Sequence, residues 1–162
     1  MPLPPEDPQR EAVYAFGHVL ASRIHTFEPL SLEACGALAN AALAARHGSP
    51  VRIHDPYAWV VNPSDKRALM CVDKDWPARA SATHINLPLW ARHEAFILHE
   101  VAHALLLQSA HDEGHSPLFV RLWFDLLISH LFLSKRSLLA LARAHHVHVA
   151  RPSALRALLP GS

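Results

Sequence analysis

The feature that most constrains the fold is a pair of long apolar segments joined by a short polar loop. Over residues 89–108, Ile97, Val101 and Leu105 recur at helical spacing, and no Gly or Pro interrupts the segment. The second segment, 118–133, carries one Arg, one Asp and one His, and is shorter than the roughly 20 residues that a membrane span needs. Both are therefore predicted to be buried helices of one core, and a chain of 162 residues fits a single domain.

Further helices are predicted on both sides of these segments. Asp7 followed by Pro8 offers a capping acceptor and a first-turn proline for a helix near the N-terminus. Ser31 can cap the next helix, and Gly48 stands where a left-handed terminator belongs. The C-terminal helix candidates are Ser134 to His145 and Ser153 to Leu159.

Between residues 51 and 87 the pattern changes to the short apolar runs VRI, AWVV, ALMCV and THINL, separated by turn-forming Asp, Asn and Pro. Three or four short strands are predicted. Because short connections suit hairpins, we expect a largely antiparallel sheet. The predicted class is α+β, with N-terminal helices, a small mostly antiparallel sheet, and then the two apolar helices and the C-terminal helices.

The charge distribution separates the C-terminal part from the rest. The formal net charge is +1, yet residues 126–162 contain no Asp or Glu. A basic helical part is therefore predicted over 134–162, and its charges are spread over several helices, which favours a solvated face. Docking on nucleic acid or another acidic surface is the alternative interpretation. The basic residues are Lys135, Arg136, Arg143, Arg151 and Arg156.

The N-terminal stretch MPLPPEDPQREAV has prolines and acids where an export signal has a basic end and an apolar run. The two cysteines, Cys35 and Cys71, lie far apart and have no metal-binding spacing. The sequence therefore predicts a cytoplasmic protein with no membrane segment and no disulfide scaffold.

Two histidines lie on the first apolar helix, in the motif HExxH. His99 and His103 are four residues apart, so their imidazoles leave one helix face at a spacing that allows both to bind one Zn²⁺. Glu100 lies beside such a metal and can accept a proton from a water that the metal activates. The alternative is a pair of surface histidines on a core helix, because a chain with 14 His can contain HExxH by chance.

A catalytic zinc needs a third protein ligand, and the loop after the helix offers four: His111, Asp112, Glu113 and His115. Position favours His115. It directly precedes Ser116 and a proline, which predict the start of the next helix and so a rigid anchor. His111 lies in mid-loop, and Glu113 stays an alternative ligand.

HEVAHALLL, a short polar loop and EGHSPLFVRLW together resemble the SprT-like zinc metalloprotease domain, the group that includes Spartan. In that family, HExxH is followed by a G-H-G-P-x-F block that supplies the third histidine at the start of the next helix. The resemblance covers about 51–130, the predicted metal core, and implies a zincin-like fold. Ser116 replaces the second glycine of the block, and the cysteines of the zinc ribbon found in some members are missing. The matching residues are Gly114, His115, Pro117 and Phe119.

The resemblance implies a zinc metallopeptidase acting on a protein or peptide substrate. One catalytic Zn²⁺ would be bound by His99, His103 and His115, and Glu100 would activate the attacking water. The substrate would lie extended beside the strand predicted at 82–87. The candidates for stabilising the oxyanion, among which the sequence does not decide, are Tyr14, Tyr57, His84 and His93.

Two other functions fit the sequence. One is a binding module that keeps a metal for stability and docks on nucleic acid or a protein through its basic C-terminal helices. The other is a histidine-rich metal store, which would bind several metals per chain. Glu100 favours the enzyme, because a structural metal site does not need it.

Overall fold

The computed structural model describes residues 7–24, 28–56, 78–111 and 114–159. The arrangement is α+β, as predicted, with six α-helices and a small mixed sheet among these residues. The elements, in chain order, are α1 (Arg10–Ile24), α2 (Leu32–Ala44), β1 (Arg52–His54), β2 (Arg79–Ala80), β3 (His84–Asn86), a 3₁₀ turn (Leu89–Ala91), α3 (Glu94–Gln108), α4 (Pro117–Leu131), α5 (Lys135–Ala144) and α6 (Pro152–Leu158).

Serine caps begin three of the helices, as the sequence predicts. The hydroxyl of Ser31 accepts a hydrogen bond from the backbone N–H of Ala34 at the start of α2. Ser116 and Ser134 cap α4 and α5 in the same way, three residues ahead of the donor. Each cap satisfies an N–H that has no partner within its helix, which fixes where the helix starts.

The sheet corrects the expectation of a largely antiparallel arrangement. The strand order is β1-β3-β2, with β3 antiparallel to β2 but parallel to β1. Residues 55–83 join β1 to β3, and a connection of that length can bring the chain back to the same end of the sheet. The runs AWVV and ALMCV, predicted as strands, lie outside the described residues.

Helix α3 lies at the centre of the core and is buried on nearly all sides. It packs against α1, α2 and α4 and against two strands of the sheet. The fully buried Trp123 of α4 donates its indole N–H to the carbonyl of Ala95 at 3.0 Å, so its polar atom is satisfied inside the core. No helix in the described ranges is long and apolar enough to cross a membrane.

The helix predicted over 89–108 starts later than expected. Residues 89–91 form a separate 3₁₀ turn, and α3 begins at Glu94. Arg92 leaves the helical conformation, with φ −82° and ψ 53°. Its guanidinium donates to the carbonyl of Leu87 at 3.2 Å and pairs with Asp55 at 2.9 Å. These two bonds tie the entry of α3 to the sheet.

Gly48 was predicted to end α2 through a left-handed backbone, but that conformation belongs to His47, with φ 57°. The glycine contributes through packing instead. A Cβ at Gly48 would lie 2.8 Å from the Cδ2 atom of Leu105, so a larger residue would require the Leu105 side chain to shift.

Candidate metal centre

Three imidazoles meet above the middle of α3. The Nε2 atom of His115 lies 3.1 Å from Nε2 of His99 and 3.3 Å from Nε2 of His103. One nitrogen from each ring lies within 4.8 Å of the others, so the three could hold a metal ion. We call these residues the histidine cluster.

A tetrahedral metal ion requires a definite distance between its ligand nitrogens. Ligand nitrogens about 2.0–2.1 Å from Zn²⁺ at tetrahedral angles are separated by about 3.3 Å. The two measured separations lie at this value or slightly below it. Three nitrogen donors that occupy one side of such a tetrahedron leave a fourth position for water or substrate.

Two different elements hold the cluster. His99 and His103 lie one turn apart on the buried face of α3. His115 lies at the end of the loop that precedes α4, where Ser116 caps the helix by accepting from the N–H of Phe119 at 3.2 Å. The cap fixes the loop relative to the helix, which is the anchor that the sequence predicts for His115.

Phe119 forms a common floor beneath the cluster. Its ring stacks on His103 with centroids 4.2 Å apart, and it contacts His99 at 4.8 Å and His115 at 5.1 Å. Trp123, one turn further along α4, contacts His99 edge-on at 4.8 Å. These aromatic rings restrict how far each imidazole can rotate.

The N-terminal segment reaches the cluster from the other side. The Oδ2 atom of Asp7 accepts hydrogen bonds from Nδ1 of His115 at 2.6 Å and from its backbone N–H at 3.2 Å. The side chain of Gln9 donates to the carbonyl of His115 at 2.6 Å and also bonds the backbone of His148. Asp7 was predicted to cap α1 with its side chain, and this carboxylate lies on His115 instead.

Two adjacent cavities open beside Glu100, one of about 810 Å³ and one of about 210 Å³. The larger reaches His99 and has the aromatic walls Trp90 and Phe96, whereas the smaller reaches His103. Glu100 therefore faces the space that borders the histidine cluster. The other residues common to both cavities are Arg10, Tyr14, Ala78 and Arg79.

Burial sets the protonation of the site. It is the main cause that lowers the pKa of His99 well below its usual range, and the neighbouring His103 and His115 add to the effect. Burial, followed by the charge of His115, lowers the pKa of His103 to about 3. These two imidazoles are neutral near pH 7 and can offer lone pairs to a metal. Burial also raises the pKa of Glu100 to about 8, so this carboxyl carries a proton near pH 7 while no cation is close.

The structure brings together the four residues that the sequence predicts for the site: Glu100 and the histidine cluster. Among the alternatives for the third ligand, His111 is not in the cluster, and Asp112 and Glu113 lie outside the described residues. His84 stacks on His54, with centroids 5.0 Å apart, and His93 contacts Phe96.

The contact between Asp7 and His115 is not predicted by the sequence, and Tyr14 is one of several oxyanion candidates among which the sequence does not decide. The ring of Tyr14 lies 5.0 Å from that of His115 and 6.2 Å from that of His99. The guanidinium of Arg10 lies 5.5 Å above the same tyrosine ring. Helix α1 thus forms one wall of the site, although it lies outside the predicted metal core of 51–130. No local pattern marks Asp7 or Tyr14 as part of the site, because their partners are about a hundred positions away along the chain.

Comparisons with protein-family models, with curated proteins and with solved structures gave no match to this chain. The resemblance to the SprT-like domain therefore stays a prediction that rests on two short blocks of sequence.

Proposed function

We propose that this protein is a zinc-dependent metallopeptidase of the SprT-like type. The observation that carries the proposal is the convergence of three imidazoles, with Nε2 of His115 at 3.1 and 3.3 Å from the other two, next to a buried Glu100 that faces a cleft. A cluster that served only to stabilise the fold would have no use for an acid in that place.

The donor set favours zinc. Imidazole nitrogens suit Zn²⁺ in tetrahedral geometry, whereas Mg²⁺ and Ca²⁺ require oxygen ligands. Buried His99 is held neutral, which is the form that binds a metal. With three protein donors, the proposed site belongs to the open, catalytic class rather than to the closed, structural class.

When bound, zinc would polarise the peptide carbonyl and make water a nucleophile near neutral pH. Glu100 is the general base. A dication within a few ångströms favours its ionised form, so the carboxylate can take the proton from the attacking water. Once protonated, Glu100 can return that proton to the leaving amine.

We propose a different docking strand for the substrate from the one predicted. The predicted docking strand contains β3, but β3 is the central strand and pairs with β1 on one side and β2 on the other. Among the described strands, β2 is the edge strand on the side of the cleft, and Arg79 and Ala80 line the smaller cavity. An extended peptide would add to β2 and pass between it and α1.

Tyr14 is the residue of α1 that we propose as the donor to the developing oxyanion. It lies beside two of the three imidazoles and lines both cavities with Glu100. A phenol O–H aimed at the carbonyl oxygen stabilises charge that grows only in the transition state.

The alternative is a binding module that keeps the metal without catalysis. The five basic residues of the C-terminal part are exposed on α5, on α6 and next to them, which would suit an acidic partner such as nucleic acid. Mobility-shift assays at 50 and 200 mM salt would test this, since phosphate-driven binding must weaken steeply as salt rises.

The first experiment measures zinc per chain after dialysis, for the wild type, His115→Ala and the matched control His111→Ala. We expect one equivalent in the wild type and in the control, and loss or marked weakening in His115→Ala. Several equivalents in the wild type would indicate a metal store. Full retention by His115→Ala would show that the cluster is not the metal site.

The second experiment measures hydrolysis of a panel of unfolded proteins and peptides. The zinc-loaded wild type should cleave, and Glu100→Gln should keep its zinc and lose activity by several orders of magnitude. If the two proteins cleaved at equal rates, Glu100 would not be the base. If neither cleaved any member of the panel, the binding module would become the better proposal.

A further inference from the structure

The short bond between Asp7 and His115 has a direct bearing on the metal site. With its Nδ1–H donated to a carboxylate oxygen at 2.6 Å, the imidazole of His115 is fixed in the tautomer whose lone pair is on Nε2. That Nε2 atom is the one that meets the other two histidines. The Asp7 carboxylate therefore fixes both the orientation of the His115 ring and which of its nitrogens carries the lone pair.

We propose that Asp7 is a positioning residue that orients His115 for metal binding and increases its strength as a ligand. A carboxylate that accepts from the far nitrogen of a ligating imidazole makes the near nitrogen more basic, and losing such a partner costs about 10–100-fold in metal affinity. The proposal rests on the zinc site and is independent of peptidase activity.

The placement of Asp7 is difficult to explain by folding alone. Its second oxygen, Oδ1, is buried and has no hydrogen-bond partner among the described residues. An unsatisfied buried acceptor destabilises a fold. A residue selected only to start α1 would leave this carboxylate in water, where a helix cap usually lies.

The backbone around His115 is shaped to admit the carboxylate. Gly114 has φ +56°, and a Cβ at this position would lie 2.9 Å from Oδ2 of Asp7. The same oxygen also accepts the backbone N–H of His115. The loop therefore holds the Asp7 carboxylate through two bonds, at a backbone position whose positive φ favours glycine.

The test compares zinc affinity, measured by competition with a chromophoric chelator, in the wild type, Asp7→Asn and Gln9→Ala. Asp7→Asn keeps the size of the side chain and removes its charge. Gln9→Ala is the matched control, because Gln9 belongs to the same segment and bonds the backbone of His115 but not its ring. We expect Asp7→Asn to bind zinc about 10–100-fold more weakly and the control to lie within about threefold of the wild type.

A second comparison separates positioning from a general effect on the fold. In a His115→Ala background, Asp7→Asn should change the residual zinc affinity by less than about threefold, since there is no ring to orient. The visible spectrum of the Co²⁺-loaded protein should change with Asp7→Asn and stay the same with Gln9→Ala.

Equal zinc affinity in the wild type and Asp7→Asn would overturn the proposal. An equal loss in both backgrounds would also overturn it, because Asp7 would then act through charge or folding rather than through His115. Circular dichroism and thermal unfolding of each apoprotein establish that the compared variants are folded. A wild type that binds no zinc would refute the metal site itself, which is a different outcome from either of these.

Discussion

Zinc binding should release a proton from Glu100, and the substitution Glu100→Gln should abolish that release. Burial raises the pKa of this carboxyl to about 8, so at pH 7 it is about 90% protonated in the metal-free protein. A dication next to it favours the ionised form, so binding should displace about 0.9 proton from this residue. The two histidines of α3 contribute almost none, because their pKa values lie far below 7.

The assay is calorimetric titration of zinc at pH 7 in buffers of different ionisation enthalpy, for the wild type and Glu100→Gln. Protons released by groups that Glu100 does not contact are common to both proteins, so the difference reports Glu100 and any water that it contacts. Because binding releases this proton, the affinity of the wild type for zinc should rise about tenfold per pH unit between pH 6.5 and 7.5 and level off above pH 8. Equal proton release by the two proteins would show that Glu100 is ionised before the metal arrives, and the argument from burial would be wrong.

Three further results are expected. Gly114→Ala should lower the free energy of unfolding by at least about 1–2 kcal/mol, because Gly114 has a positive φ and a Cβ there would contact the Asp7 carboxylate. Gly17→Ala is the control: a Cβ at Gly17 has contacts of 3.4 Å or more, so the free energy of unfolding should change by less than about 1 kcal/mol. Thermal unfolding checks both. In urea titrations, the free energy of unfolding of the apoprotein should fall by about 1 kcal/mol per pH unit, on average, as the pH is lowered from 6.5 to 4.5. The two helix histidines bind protons only when unfolded, and Glu100, which is protonated in the folded state, offsets about half of that loss. A flat profile would contradict the stated burial. Tyr14→Phe should lower kcat about 100-fold on any cleaved substrate at unchanged zinc content, and an unchanged kcat would remove Tyr14 from the mechanism.

The parts of the site that rest on local signals could be predicted from the sequence. The spacing of His99 and His103 follows from helical periodicity, and the apolar residues around them indicate the helix. His115 could be favoured over its loop neighbours because Ser116 marks the start of a helix three residues ahead of the N–H that it caps. In each case the interacting residues lie within one or two turns of each other.

The parts that depend on contacts between distant segments could not be predicted. Asp7 fits a helix cap on every local rule, yet its carboxylate bonds a histidine 108 positions away. The parallel pairing of β1 with β3 likewise joins residues far apart along the chain, such as Arg52 and His84, and short apolar runs do not specify which strands pair. Tyr14 could be named as a candidate, but only the packing of α1 over the cluster places it at the cleft.

The bridge made by Gln9 has a consequence for how the protein is made. Its side chain bonds both His115 and His148, so the loop that carries the third proposed ligand is clamped by segments from the two ends of the described chain. During synthesis on the ribosome, that clamp can close only after residue 148 has emerged. The three histidines and Asp7 emerge before residue 148, and loss of the Gln9 bonds is expected to change zinc affinity by less than about threefold. We therefore expect a growing chain to load zinc before this clamp closes, so that the clamp is a late step that joins the two ends of the described chain around the site.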